Sequence, residues 1–474
     1  MKYYRIIPIA LLLDAIIVSG QDDHYWSQQF GATSSSMGGA VVGGVRDNTA
    51  IFYNPGAQGF LENPNLSVDA NLYQLDKISI RNGAGQNVNL NSAQFSIYPQ
   101  IVSGLINLIN LPRFNFGYAI LTRNYNNILM NARFTNRDLS TNPNPGSEFI
   151  GAFDYSNQLN EQWFGVCMSY KPNKKNGFGL SLFGNYRGQT YSLTNFIRNI
   201  DYQDSVAWFS TVNIDENIRY KTFMMTAKLG WAFETGKWRL GLTLTSPSIR
   251  LYGKGDIQRE ISFYSASDRP GDTSISFIIL DRKTSVKTIY HHPLSIAAGI
   301  EYRTSTTRLA FSAEYFTGIR SYYMMHTESD PLVYPTWIKD SSSTQPYLKD
   351  YLDICNKSKP VLNIAIGLDQ YLSKSFSFLL GARTDFSSFN TPDKADILLH
   401  GSGEWDLFHV SAGLSYNMPK QSITLGFNYT FSPQKTIDPY AVLNPLSPSG
   451  FHSTVLAQSF GIILGYTHYF KKTY

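Results

Sequence analysis

Charge is scarce in this chain. Asp, Glu, Lys and Arg make up 16% of its 474 residues, against roughly 25% in soluble globular proteins, which argues against water contact over the whole surface. Long hydrophobic runs are missing too. Beyond residue 20 no apolar stretch approaches the about 20 residues a membrane helix needs, so a helical membrane protein is excluded there. Only two cysteines occur, Cys167 in a strand-like segment and Cys355 in a long loop, and their spacing does not imply a disulfide. No basic run, P-loop or Gly-x-Ser-x-Gly motif is found, and His291-His292-Pro293 lacks an acidic or cysteine partner spaced to complete a metal site. Nucleic-acid binding, metal and cofactors are therefore without support, and nothing favours an enzyme.

Aromatics are abundant, at 14% with 31 Tyr and 30 Phe. Lys2 and Arg5 precede an apolar core from Ile6 to Val18 followed by small residues, so residues 1–20 read as a secretory signal. Its removal takes Lys2, Arg5 and Asp14 and lowers the formal net charge from +5 to +4. Residues 21–65 form a leading segment, and residues 66–474 read as wall. There, segment after segment alternates apolar with small or polar residues, the period of strands between two solvents. Phe408, Val410, Ala412, Leu414 and Tyr416 alternate with His409, Ser411, Gly413 and Ser415; Ile423, Leu425, Phe427 and Tyr429 repeat the pattern.

The count is about fourteen strands, near 66–76, 88–98, 113–133, 160–171, 177–190, 216–234, 237–250, 285–302, 307–320, 360–371, 375–388, 408–418, 423–431 and 460–470. Short connections alternate with long ones at about 191–215, 251–284, 321–359, 389–403 and 432–455, as in a transmembrane barrel with tight periplasmic turns and long outer loops. The connection 99–112 departs from that rule, being long and apolar, and reads either as an interfacial helix or as a strand extension. The expected fold class is all-β, a transmembrane antiparallel β-barrel in the bacterial outer membrane. Basic residues mark the short turns: Lys174, Lys175, Lys237, Arg303, Lys374 and Lys420.

If the apolar face meets lipid, the other face lines the bore. Glycine recurs on it, at 117, 179, 230, 241, 299, 367, 381, 413, 426, 461 and 465, leaving volume that strand side chains do not fill. The face also carries Arg113, Arg123, Arg187, Lys228, Arg239, Glu301, Arg308, Glu314, Arg383 and Asp385. An arginine in an apolar bore would hold a carboxylate bidentately while the walls take its tail. Arg113, Arg187, Arg239 and Arg383, with Arg46 of the leading segment, are the candidates for that role. Leu332, Val333, Tyr334 and Trp337 are candidates for an outer apolar groove.

The occupant of the bore is expected in Met37–Phe60. This stretch is too glycine-rich for a stable helix, too irregular for a strand and too apolar for a free linker. Its small-residue run, acid and Asn-Pro corner, at Gly39, Ala40, Gly43, Asp47, Asn48, Thr49, Ala50, Tyr53, Asn54 and Pro55, resemble the plug of the long-chain fatty-acid transporter (FadL) family of outer-membrane channels. Gly56, where Ala usually follows Asn-Pro, and Arg46 before the acid depart from that pattern. The resemblance implies an N-terminal plug inside the bore and passive uptake of hydrophobic small molecules such as long-chain fatty acids. It also implies a lateral gap at a kinked third strand, here 113–133, where no residue by itself marks the kink. Ligand and outer-membrane lipid are the expected partners, and a protein partner stays open. The alternative is a non-transport barrel serving as a surface-attachment or secretion-associated scaffold.

Overall fold

The computed structural model describes residues 23–108, 110–136, 148–203, 206–267, 275–335, 348–390, 403–439, 441, 443 and 450–470. The expected signal segment and Trp337 lie outside them. From residue 65 onward the chain runs up and down as β1 (Asn65–Arg81), β2 (Leu90–Asn107), β3 (Phe114–Asn136), β4 (Glu148–Tyr170), β5 (Asn176–Gln203) and β6 (Val206–Thr235). The seventh wall strand is broken into β7 (Trp238–Thr245) and β8 (Ile249–Ser267), and the eighth into β9 (Ile275–Lys287) and β10 (Ser295–Arg303). Next come β11 (Thr307–Phe316), the short β12 (Ile319–Met325), β13 (Leu332–Tyr334) and β14 (Ile354–Ser358), then β15 (Val361–Tyr371) and β16 (Phe376–Asp385). β17 (Leu407–Asn417), β18 (Gln421–Phe431), the short β19 (Lys435–Ile437) and β20 (Ser453–Tyr469) complete the order. β20 pairs antiparallel with β1 from Asn65↔Tyr469 to Arg81↔Thr454, so fourteen wall strands close on themselves.

Several strands are much longer than the bilayer requires, and the reason lies in their side chains. On β5 the outward residues Phe178, Leu180 and Leu182 give way beyond Tyr186 to Thr190, Ser192 and Thr194, while inward Ser181, Asn185 and Arg187 give way to Tyr191, Leu193 and Ile197. β6 repeats the inversion, with outward Leu229, Met225 and Phe223 followed by Lys221, Arg219 and Asn217. Below this level the wall is oily outside, as a lipid-facing barrel must be. Above it the wall is wet outside and oily inside, as in a soluble β protein. The stretches 191–215 and 251–284, expected as loops, are therefore largely strand: β5 and β6 pair as far as Gln203↔Val206, and β8 pairs with β9. The connection 99–112 resolves as strand, since β2 runs on to Asn107.

Two apolar clusters fill the interior. The outer one joins Tyr191, Leu193, Ile197, Ile214 and Ile218 with Tyr351, Leu352 and Ile354. The inner one gathers Phe30, Met37, Ile51, Ile101, Trp163 and Phe183. Between them lies a polar layer in which the carboxylate of buried Glu161 accepts from Trp163 Nε1 (2.6 Å) and Arg187 (2.6 Å), with His292 Nε2 at 3.0 Å.

Candidate functional site

The leading segment is folded inside the bore. It holds two short helices, α1 (Ala32–Ser36) and α2 (Ala50–Tyr53), and a 3-10 turn over Pro55–Phe60, nearly all of it buried. Its bed is a band of glycines at one level of the wall. Cross-strand registers set them side by side as Gly179↔Gly230, Gly241↔Gly299, Gly367↔Gly381 and Gly413↔Gly426. Of the eleven inward glycines named from the sequence, all but Gly461 have a leading-segment atom in the space a Cβ would take. Met37 lies against Gly367, Gly43 against Gly299, Val42 against Gly241, Asn54 against Gly230 and Pro55 against Gly179. Wall side chains meet the segment's backbone polar groups: Asp69 accepts from Ala32 N (2.8 Å), and Ser181 and Thr243 donate to the Ile51 and Tyr53 carbonyls (2.8 Å each).

The residues of the Asn-Pro corner have defined tasks. Asn54 donates from Nδ2 to the carbonyls of Val42 and Trp231 (3.0 Å each) and accepts from Gly56 N (3.0 Å), tying the corner to the segment and to the wall at once. Gly56 fits where alanine would not, because a Cβ would lie 2.7 Å from the carbonyl oxygens of both Gly177 and Gly230. Asp47 opens α2 by accepting from the backbone N and the hydroxyl of Thr49; burial raises its carboxyl above the ordinary value, and these bonds oppose the shift. Asn48 donates to Ser103 O (3.1 Å), and Gly39, at φ +79°, takes a left-handed turn.

Four of the five arginines expected to hold a carboxylate are otherwise engaged, and the fifth is not in the bore. Arg46 pairs with Glu234 and stacks over Phe60, and Arg187 is buried against Glu161. Arg239 bridges Glu234 and Glu301 (2.8 Å each), and Arg383 donates to the carbonyls of Trp26 (3.1 Å) and Ser27 (3.2 Å). Arg113 is a correction: it sits exposed in a periplasmic turn, because the strand begins one residue later at Phe114. The expected outer groove is corrected as well. Val333 is buried while Leu332 and Tyr334 are exposed, since β13 is a strand paired with β9 and alternates across the wall.

Arg308 pairs with Asp369, and the two other inward cations, Arg123 and Lys228, meet at a cavity of about 50 Å³. It is bounded by Trp26 and Phe52 of the leading segment, by Trp163, and by Glu314. Lys228 Nζ stands 4.2 Å from the Phe52 ring centre, and Arg123 lies 5.9 Å from both Phe52 and Trp163 while donating to Tyr25 O. Neither cation has an ion pair among the described residues. Glu314, the nearby acid, accepts from Trp26 Nε1 (2.8 Å) and Ser295 (2.6 Å).

Arg123 keeps the inward phase of Gly117, Ala119 and Leu121 and is the extra residue of a bulge, beyond which that phase passes to Ile128 and Met130. Thr122 pairs with Gln162 and Asn124 with Glu161, and such a bulge re-aims a side chain and bends its strand. At the same height the β2–β3 ladder stops, running only over Ile101–Asn107 against Asn115–Leu121. Pro99, with no N–H to offer, stands where it would continue. Beyond it the two strands touch through side chains, Ser92 Oγ accepting from Leu129 N (3.2 Å) and Tyr98 stacking on Tyr125 (5.0 Å). Behind this lapse is a second cavity of about 140 Å³, lined by Gln74, Asp76, Asn124, Tyr125 and His409; Gln28 borders both cavities.

No family model and no curated protein sequence matches this chain. Solved structures do resemble it. A Pseudomonas aeruginosa FadL homologue shares 12% identity at a TM-score of 0.57, covering 94% of this chain and 100% of that one. The toluene transporter TodX of Pseudomonas putida shares 12% at 0.56, covering 96% and 100%. The toluene transporter TbuX of Ralstonia pickettii shares 13% at 0.51, covering 93% and 98%. At such identities the likeness is one of fold, and the fold of this closed, lipid-belted cylinder is that of the FadL-type outer-membrane barrels.

Proposed function

We propose that the protein is an outer-membrane channel for passive uptake of hydrophobic small molecules, with a preference for those that carry a carboxylate, such as long-chain fatty acids. The observation that carries this reading is the pair of unpaired cations, Arg123 and Lys228, set among aromatic faces at a bore cavity. A carboxylate there would gain charge-assisted hydrogen bonds while its tail lies on Phe52 and Trp163. Neither cavity holds such a ligand as it stands, since even an apolar void of about 150 Å³ is one that takes benzene, far smaller than a long-chain fatty acid. Passage therefore requires the leading segment to act as a movable plug. The β2–β3 ladder lapses at the height of Arg123, so a ligand at this site is one strand from a lateral way into the bilayer.

Binding of dibrominated oleate is read by quenching of Trp26 and Trp163 at the cavity. The doubly substituted R123Q/K228Q protein is expected to bind it roughly thirtyfold more weakly, about 2 kcal/mol for a lost charged hydrogen-bond partner. Toluene, which has no carboxylate, is the control and should be unaffected. Equal oleate binding by both proteins, or unchanged oleate uptake by cells with and without the protein, would count against the reading.

A further inference from the structure

The periplasmic end of the barrel is chemically uniform in a way the rest of the surface is not. Fourteen wall strands with both ends on one side leave six turns there, at 108–113, 171–175, 236–237, 303–306, 372–375 and 418–420. Each carries at least one exposed basic residue: Arg113, Lys174 with Lys175, Lys237, Arg303, Lys374 and Lys420. None contains Asp or Glu. The acids close by, Glu234, Glu301 and Asp369, belong to inward ion pairs with Arg239 and Arg308, leaving Glu62 as the exposed acid of the lead-in to β1. At the opposite end both signs mix and pair, as at Arg219–Asp256 (3.1 Å).

Immediately on the membrane side of this rim stand aromatic pairs at successive turns. Phe114 lies 4.8 Å from Tyr170, Trp238 4.7 Å from Tyr302 and Phe376 5.4 Å from Tyr416, with Lys237 Nζ 6.0 Å from the Tyr302 ring. Aromatic rings of this kind settle at the headgroup boundary. Lysine and arginine placed just beyond them extend their stems along the boundary and set their charges at the level of lipid phosphates.

We propose that this rim is a binding surface for anionic phospholipid headgroups of the periplasmic leaflet, a ring of phosphate-diester sites repeated turn by turn. Its charge is complementary to such lipids and continuous with the lipid-facing belt. An acidic periplasmic protein is the competing occupant. The inference does not depend on what the channel carries.

The test is electron spin resonance of spin-labelled lipids around the full protein reconstituted in phosphatidylcholine. Labelled phosphatidylglycerol is expected to associate with wild type roughly fivefold more strongly than labelled phosphatidylcholine at low salt, and close to equally at high salt. In a variant carrying Arg113→Gln, Lys174→Gln, Lys175→Gln, Lys237→Gln, Arg303→Gln, Lys374→Gln and Lys420→Gln the preference should vanish. If that variant does not refold, the single-turn variants take its place, each lowering the preference by part. A control neutralising Lys254, Arg282 and Lys283 at the outer end should keep it. Equal association of the two lipids with wild type overturns the proposal. So does a preference that survives loss of the rim charges, or cross-linking of the rim lysines to an acidic protein in native membranes without any lipid preference.

Discussion

At the scale of single residues, the fit between the leading segment and the wall is set by missing atoms. Replacing Gly56 by alanine puts a methyl group against two backbone carbonyls that belong to different strands and cannot both retreat. The expected penalty is that of overpacking, about 1–3 kcal/mol, and it falls on seating the segment rather than on the barrel. G56A should therefore show faster proteolysis of residues 31–60 in intact membranes with an unchanged barrel melting transition. Arg46 makes an ion pair of the segment with the wall, and its neighbours make that pair easy to release. Glu234 also binds Arg239, which in turn binds Glu301, so Glu234 keeps a partner when Arg46 departs. R46Q is expected to weaken seating by about 1 kcal/mol or less, as for a partly exposed pair. Glu234→Ala, which strips the partner from half-buried Arg46 itself, should weaken it more. Open probability in planar bilayers ranks the two.

At the scale of elements, the strands were plain from alternation and the fourteen positions agree, while their lengths were not. Beyond Arg187 the alternation of β5 continues but its phase inverts, so Tyr191, Leu193 and Ile197 face inward where the lipid rule places them outward. A reading that equates apolar with lipid ends the strand there. The glycine band was visible residue by residue, but its alignment into one track needs the registers. Arg123 and Lys228 were both on the inward face from the start. What separates them from Arg46, Arg187 and Arg239 is the absence of an ion pair, and from Arg113 and Arg383 the cavity that Arg123 and Lys228 both border, facts that spacing along the chain does not hold. The lapse between β2 and β3 has a trace in Pro99, on the strand next to the third strand, where the family resemblance places a kink. If that lapse is a passage, closing it must stop traffic without touching the bore. Gln94 and Asn127 face each other across it, with side-chain atoms 3.5 Å apart, and the native Cys167 and Cys355 are buried and out of reach of reagents. A Gln94→Cys, Asn127→Cys protein joined by a short bis-methanethiosulfonate cross-linker, which forms a disulfide to each cysteine with loss of methanesulfinate, should lose more than about tenfold of oleate uptake and regain it on reduction. Uptake undiminished by the clamp would remove the lateral route.

At the scale of the whole molecule, two proteins are stacked in one set of strands: a membrane barrel below, and above it a water-facing β structure with its own apolar core. The boundary on β5 falls between Tyr186 and Thr190. From Phe178 to Tyr186 the strand rises about 26 Å along its axis at ~3.3 Å per residue, or about 20 Å across the membrane at a tilt of ~40°, near the height of a barrel's apolar belt. A lysine scan along the outward face of β5 tests the boundary directly. Leu180→Lys and Leu182→Lys set a charge in hydrocarbon and should each destabilise the folded barrel by about 2–4 kcal/mol, whereas Thr190→Lys and Thr194→Lys set it in water and should change stability by less than about 0.5 kcal/mol. On the inward face the order reverses in kind: Leu193→Lys buries a charge in the outer core and should destabilise strongly, although it lies above the membrane. Equilibrium denaturant unfolding in phospholipid vesicles measures all five. A smooth gradient along the outward face, with no step between Leu182 and Thr190, would mean that lipid reaches the upper half and that the inverted phase does not mark the membrane surface.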